Sequence, residues 1–270
     1  TCFTGNNGVA TVSVAGGVAN NQGGYAFSWS TNPIQTTATA TNLVAGQYFV
    51  QVTDNNGCVK IDSVIITEPI PLVTAVSNKI DVTCFTGNNG VATVSVAGGV
   101  ANNQGGYAFS WSTNPIQTTA TATNLTAGNY VVTVTDNNGC VAIQNITINE
   151  PQLLNIVSTN QQNVSCFGGN EGSITALVSG GTAPYDYNWN NYSFANAGTI
   201  NNIPVGVYLL AITDANGCIA VSQFTVTSPA ILNTNITNVT DVSCYGYNDG
   251  GLQTTTIGGV APYTYQWNTT

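Results

Sequence analysis

The sequence contains no histidine and no methionine, and its only two cationic residues are Lys60 and Lys79, so arginine is absent as well. Without imidazole there is no His-based acid, base or zinc ligand, and without guanidinium there is no bidentate clamp for phosphate or carboxylate. Two cations against 11 carboxylates leave a formal charge of -9, which cannot neutralise a phosphate backbone. Nucleic acid is therefore excluded as a partner, and anionic membrane surfaces are disfavoured for the same reason. No apolar run approaches the ~18 residues of a spanning helix, so no membrane insertion is expected. Thr1-Cys2-Phe3 reads as the interior of a mature protein rather than as a signal peptide. Catalysis has little to work with. Asp54, Asp62 and Glu68 fall at turns and linkers, the hydroxyls lack a base, and neither lysine position recurs in the third repeat described below. No enzyme activity and no cofactor are expected, calcium being the one candidate ion.

What is present is a β-forming composition. Val, Ile, Leu and aromatics are plentiful, and the polar remainder is rich in Thr, which favours strands, and Asn, which favours turns. Self-similarity settles the organisation. Residues 1–43 recur letter for letter as residues 83–125, and diverged copies begin at Ser165-Cys166-Phe167-Gly168 and Ser243-Cys244-Tyr245-Gly246. The longer loop Ala19–Gly24 of the first copy, repeated at 101–106, is shortened in the third to Thr182-Ala183-Pro184, which marks an exposed turn. Glu68-Pro69, Glu150-Pro151 and Ser228-Pro229 mark boundaries. The expected domains are residues 1–69 (lacking an opening strand), 70–151, 152–229 and a partial repeat over 230–270, as though cut from a longer array.

Within a copy, Val12/Val14, Tyr25/Phe27/Trp29 and Tyr48/Val50/Val52 alternate at period two, as half-buried strands do. Val59/Ile61 and Val64/Ile66 change phase, which predicts a bulge between them. Asp54-Asn55-Asn56-Gly57 predicts a tight hairpin that returns at 136–139 and 214–217. Tyr48 stands where a tyrosine corner would lie. The fold class is all-β: tandem immunoglobulin-like β-sandwiches of about seven strands each, in an extended array.

The seven cysteines fall as Cys2/Cys58, Cys84/Cys140 and Cys166/Cys218, with the partner of Cys244 missing. Their spacing suits neither a metal site nor a redox pair, so a disulfide inside each repeat is expected, closing a loop of about 55 residues. Such bonds imply an oxidising, extracellular setting.

Taken together, Cys-Phe-x-Gly-x-x-Gly, Gly-Gly, Tyr-x-Tyr/Phe-x-Trp, Leu-x-x-Gly-x-Tyr, Thr-Asp-x-Asn-Gly-Cys and a closing Glu-Pro resemble the SprB-type repeat of bacterial gliding-motility and cell-surface adhesins. The resemblance implies a secreted surface protein of many tandem Ig-like modules, and it supplies no catalytic residues.

Asp54, Asp136 and Asp214, flanked by Asn, are the calcium candidates, set against plain capped turns. The loops at 5–8, 169–172 and 247–250 raise the same question more weakly. Tyr25, Phe27 and Trp29 are expected to be core rather than a sugar platform, and Trp189 and Trp267 likewise. Tyr192 and Phe194 are the better place for a glycan contact. Three roles follow. The first is a disulfide-stapled structural or adhesive rod whose partners are neighbouring repeats and like filaments. The second is an avidity array for glycans or proteins, and the third is a filament subunit completed by a strand from another chain.

Overall fold

The computed structural model describes residues 2–19, 24–102, 106–190 and 197–268. All regular structure among them is strand. The chain divides into two compact units, Thr1–Asp81 with Asn88–Asn149, and Val82–Gly87 with Glu150–Thr270.

In the first unit, residues 1–69 supply β1 (Gly8–Thr11), β2 (Ala26–Trp29), β3 (Thr39–Leu43), β4 (Gly46–Thr53) and β5 (Val59–Ile66). The second copy supplies β6 (Val73–Ile80), β7 (Gly90–Ala97), β8 (Ala108–Trp111), β9 (Thr121–Leu125), β10 (Gly128–Thr135) and β11 (Val141–Ile148). Its two antiparallel sheets run β6-β7-β9 and β8-β10-β11; the first copy has β1-β3 and β2-β4-β5. The second unit repeats the plan with β12 (Asn155–Gln162), β13 (Gly172–Ser179), β14 (Asp186–Trp189), β15 (Thr199–Ile203), β16 (Gly206–Thr213) and β17 (Ile219–Val226). Its sheets are β12-β13-β15 and β14-β16-β17, followed by the pair β18 (Asn233–Thr240) and β19 (Gly251–Ile257). Among the described residues, a complete copy thus has six strands, against the seven or so expected.

Period-two patterning decides which faces meet. In β7 the side of Gly90, Ala92 and Val94 is buried, and the alternate residues are less so. In the third copy one core joins Ile174 and Ile200 of one sheet to Trp189, Leu210, Ile212 and Phe224 of the other. Trp189 and Phe224 lie 5.7 Å apart between ring centroids, within the range of favourable aromatic pairs. Cross-strand threonines tie the outer face: the hydroxyls of Thr93 and Thr121 lie 3.0 Å apart, as do those of Thr11 and Thr39.

The bulge expected inside β5 does not exist, since β4 and β5 pair without a break from Gly46↔Ile66 to Thr53↔Val59. The phase change instead records a face change. Val59, Ile61 and Ile65 are exposed, whereas Val64 and Ile66 pack on the core. Register shifts occur elsewhere, at Val76/Asn78 against β7 and at Gly90/Ala92 against β9.

The predicted tyrosine corner is present in the first three copies. The hydroxyls of Tyr48, Tyr130 and Tyr208 donate to the carbonyls of Val44, Thr126 and Pro204 at 3.1, 3.0 and 2.7 Å. Trp29, Trp111 and Trp189 are similarly pinned eight residues ahead, donating to the carbonyls of Thr37, Thr119 and Ala197.

One local strain stands out. Thr4 and Thr86 sit at φ of 60° and 57°, in the left-handed region, where the third and fourth copies place Gly168 and Gly246. A β-branched residue there costs roughly 1–2 kcal/mol, part of which glycine gives back as unfolded-chain entropy. Thr86→Gly should therefore stabilise the protein by up to about 1 kcal/mol, read as a small rise in denaturation midpoint.

Candidate functional site: the cysteine joints

Two disulfides form among the described residues, and both join consecutive copies. Cys2 bonds Cys140 and Cys84 bonds Cys218, with Cα–Cα distances of 5.5 and 5.7 Å. Each lies within one compact unit. The expected pairs Cys2/Cys58, Cys84/Cys140 and Cys166/Cys218 are not formed, and Cys58, Cys166 and Cys244 are exposed free thiols.

The reason lies in the course of the chain through one sandwich. Cys84 precedes β7, at the end where Gly90 lies against Ile148 at the close of β11. Cys140 follows β10, at the end where the Asn137 N–H donates to the Val100 carbonyl and Gly99 lies against Asp136. The eight residues of β7 separate those ends, roughly 25 Å at strand rise. A disulfide needs Cα atoms within about 7 Å, so the two cysteines of one folded copy cannot meet. The chain enters a copy at the Cys140-type end and leaves at the Cys84-type end. Each trailing cysteine therefore lies beside the leading cysteine of the next copy.

The leading cysteine is carried by the predicted hairpin, and the aspartate builds it. Asp136 accepts from the N–H groups of Val100, Asn138 and Cys140 at 2.8, 2.9 and 2.8 Å. Asp54 does the same with Val18, Asn56 and Cys58, and Asp214 with Thr182, Asn216 and Cys218. The bond from Val18 contributes most to holding the Asp54 carboxyl below its ordinary value, ahead of that from Cys58. For Asp136 and Asp214, burial pushes the carboxyl upward, but the backbone donors together outweigh it and leave both low. These carboxylates face N–H groups, an environment that satisfies the anion without a cation. No group of three or more acidic, cysteine or histidine side chains that could hold a metal ion occurs among the described residues.

The trailing turn is pinned by a second carboxylate. The Thr4 N–H donates to Glu68 at 2.5 Å and the Thr86 N–H to Glu150 at 2.6 Å, which gives the glutamate of the Glu-Pro boundary its task. Where that glutamate is replaced by Ser228, the acid reappears inside the turn. Ser165 donates from its N–H and its hydroxyl to Glu171, whose carboxyl is held down to about 2, chiefly by that hydroxyl and then by the N–H. Asp249 holds Ser243 alike. One polar contact crosses the Cys84–Cys218 joint: the Asn216 side-chain amide donates to the Thr83 carbonyl at 3.1 Å.

These depressed carboxyls set an acid limit. A carboxyl lowered by folding stabilises the fold above its unfolded value and loses that contribution as pH falls toward the folded one. Thermal midpoints should be flat from pH 7 to about 5, fall below about 4.5, and continue to fall toward pH 2 as Glu171 titrates.

Trp29, Trp111 and Trp189 are buried, and Phe27 packs against the same core as Trp29, so these aromatics form no exposed platform. Tyr25 is half-buried and donates to the Gly16 carbonyl. Trp267 departs from the expectation: it is 54 % exposed. Tyr192 and Phe194 lie outside the described residues, as do 20–23 and 103–105 of the long loops.

Among solved structures, the chain resembles the eight N-terminal Ig domains of Down Syndrome Cell Adhesion Molecule at 13% identity and a TM-score of 0.34, over 87% of this chain and 36% of that one. The chain thus spans about a third of that structure's length. It also resembles the Dpr2 Ig1-Ig2 complex with DIP-Theta Ig1-Ig3 (9% identity, TM-score 0.29, 77% of this chain and 91% of that one). A third is the Bacteroides ovatus protein SGBP-B, solved with a mixed-linkage heptasaccharide (13% identity, TM-score 0.19, 92% of this chain and 70% of that one). No curated protein matches the chain in sequence. The family model described as the SprB repeat matches residues 76–115, 158–194 and 236–270. Residues 1–33 repeat residues 83–115 letter for letter, which extends the likeness to the first copy. The chain is a tandem series of Ig-like β-sandwich modules that carries SprB repeats.

Proposed function

We propose that this chain is a structural and adhesive stretch of a large cell-surface protein, in which β-sandwich repeats are stapled end to end and transmit tension. The observation that supports this most is the position of the sulfur bridges. A bond inside a module protects that module alone, whereas a bond from the trailing end of one to the leading end of the next reinforces the joint. Disulfides of this kind persist outside the reducing cytosol, which fits an extracellular location. No helix among the described residues is long and apolar enough to cross a membrane. The inward tryptophans favour a structural role over a glycan-binding array, and of the carboxylates weighed for catalysis Asp54 and Glu68 pin turns, while Asp62 lies within β5 rather than at the turn or linker expected.

The joint has the features of a spacer. Only a few residues separate the last strand of one copy from the first of the next, Thr67 to Leu72 at the first boundary, and they include two prolines. Such a linker is stiff compared with a Gly/Ser tether. Antibody raised against residues 70–151 should label intact, unpermeabilised cells, and mass mapping of native material should recover Cys2 linked to Cys140 and Cys84 linked to Cys218. Label found only after permeabilisation, or free thiols at those four positions, would overturn the reading.

A further inference from the structure

With the tryptophans turned inward, the adhesive part of the reading above has no surface assigned to it. A concave one lies at the β2–β3 loop, where residues 30–35 face the end of β3 and the turn into β4. It forms a cleft of about 460 Å³, within the usual range for small-ligand sites. Pro33, Val44 and Tyr48 give it an apolar wall, and Thr31, Asn32 and Asn42 bring hydroxyl and carboxamide groups to it. No lining residue is charged. At the loop tip, between Pro33 and Gln35, Ile34 is 64 % exposed.

We infer that this cleft is a binding site for a neutral polysaccharide, carried by each of the first two copies. The inference rests on the cell-surface reading, and three observations carry it. First, the frame is fixed without using the groups that would meet a sugar. The Gln35 side chain donates to the Thr41 carbonyl and accepts from the Thr41 N–H, both at 2.9 Å, and its N–H donates to the Thr31 hydroxyl at 3.0 Å. The Phe49 N–H donates to the Ser30 hydroxyl at 2.9 Å. Asn32 and Asn42, by contrast, are exposed, and among the described residues no hydrogen bond occupies their carboxamides. Second, Asn42 sits at φ of 56°, in the left-handed region that asparagine tolerates better than most residues. The backbone thus fixes the root of its carboxamide at the cleft, and a group held in place loses little freedom on binding. Third, the arrangement returns in the second copy, where the opening strand β6 is present. Gln117 bonds Thr123 and Thr113 at the same lengths, the Val131 N–H donates to Ser112, and Asn124 has φ of 55°. Asn114 and Asn124 are again exposed, and Thr126 takes the place of Val44.

The chemistry selects the ligand. A carboxamide both donates and accepts, which matches a sugar hydroxyl that does the same, while the Tyr48 ring and Pro33 suit the C–H face of a pyranose. The lining has no cation to hold a uronate, sulfate or phosphate, and no carboxylate to hold an amine. Two clefts on one chain hold a polymer by avidity although each alone is weak.

The test uses the full chain with its bridges intact. Calorimetry is run against cellohexaose, laminarihexaose, maltohexaose and mannohexaose, with polygalacturonate as the charged control. At least one neutral hexaose should bind saturably with a dissociation constant on the order of 1 mM. Asn42→Gly combined with Asn124→Gly should weaken it at least about fivefold. Both melting transitions should survive, because glycine accepts the same φ. Saturation by none of the four, binding that the paired substitution leaves unchanged, or binding of polygalacturonate alone overturns the inference. Disulfide mapping of the same sample separates the two readings. If Cys2–Cys140 and Cys84–Cys218 are intact and no sugar binds, the cleft is wrong and the stapled array stands. If those bridges are absent while sugar binds, the array is wrong and the cleft stands.

Discussion

Stretched between Cys2 and Cys218 until every sandwich has opened, the oxidised chain should stop at roughly 190 Å and the fully reduced chain at roughly 750 Å. The fourfold difference follows from the covalent path. With both bridges closed, tension passes from Cys2 directly to Cys140, back through roughly 55 residues to Cys84, and directly to Cys218. Every other residue in the interval lies off that path. Replacing Cys140 with serine opens one bridge, and the path then runs from Cys2 along the chain to Cys84, giving an intermediate limit near 290 Å at the same rise per residue. Single-molecule stretching with and without a reductant reads all three lengths. Equal limits for the oxidised and reduced chains would show that the bridges carry no load. The bridges differ from an ordinary domain disulfide in their thermodynamic reach. A loop spanning 138 residues has a ceiling of about 5 kcal/mol in the chain-entropy model. That loop encloses two sandwiches, so the full amount appears only when both unfold together. The melting of a single repeat should respond less to reductant than the final stretched length does.

The largest effect of a single side chain is expected at Trp111. It is 1 % exposed, packs between the two sheets of its repeat and donates its ring N–H to the Thr119 carbonyl at 2.8 Å. Trp111→Ala removes that burial, leaves a cavity and orphans the carbonyl, at about 3–5 kcal/mol. A domain of this size has a total stability of the same order, roughly 0.05–0.15 kcal/mol per residue. The second repeat should therefore be largely unfolded near physiological temperature while the others keep their transitions. Val131→Ala, on the outer face of the neighbouring strand, should change the midpoint by less than about 0.5 kcal/mol. Denaturant unfolding followed by a residue-resolved probe separates the two outcomes. A mutant whose second repeat melts with the rest would mean that the joints couple the modules into one cooperative body.

Local chemistry was readable in the sequence, and long-range geometry was not. The hairpin at Asp136–Cys140, the tyrosine corner at Tyr130 and the inward tryptophans each depend on contacts a few residues apart, and each stands where the pattern put it. The cysteine partners depend on which end of the sandwich each residue reaches. Between Cys84 and Cys140 the chain forms four strands, and four full crossings would return it to its starting end. The lengths explain why it does not. β8 and β9 have four and five residues and share one descent, β8 from Thr135 to Val132 of its neighbour and β9 from Thr93 to Gly90 of the other sheet. The chain thus makes three crossings and finishes at the far end. A short Ala-Phe-Ser-Trp strand followed by a Pro-containing loop was the available sign. The covariation of the trailing turn was also present in the letters: Thr86 goes with Glu150, and Gly168 with Glu171. Its meaning required the fold, because Glu150 meets Thr86 across an interval of 64 residues.

The spacing of the bridges also imposes a schedule on biosynthesis. Synthesis runs from the N-terminus, so Cys84 emerges well before Cys218, its partner 134 residues downstream, while Cys140 arrives much sooner. In a chain still unfolded, the nearer sulfur is the one met first, and oxidation at that stage would trap a knot the sandwich cannot contain. Once β7 through β10 have closed, the same two sulfurs are held apart by the length of the module and the error is sterically barred. Packing the two sheets of each bead before exposure to oxidant acts as proofreading, and a slow-folding variant should accumulate scrambled linkages even where its finished form would be sound.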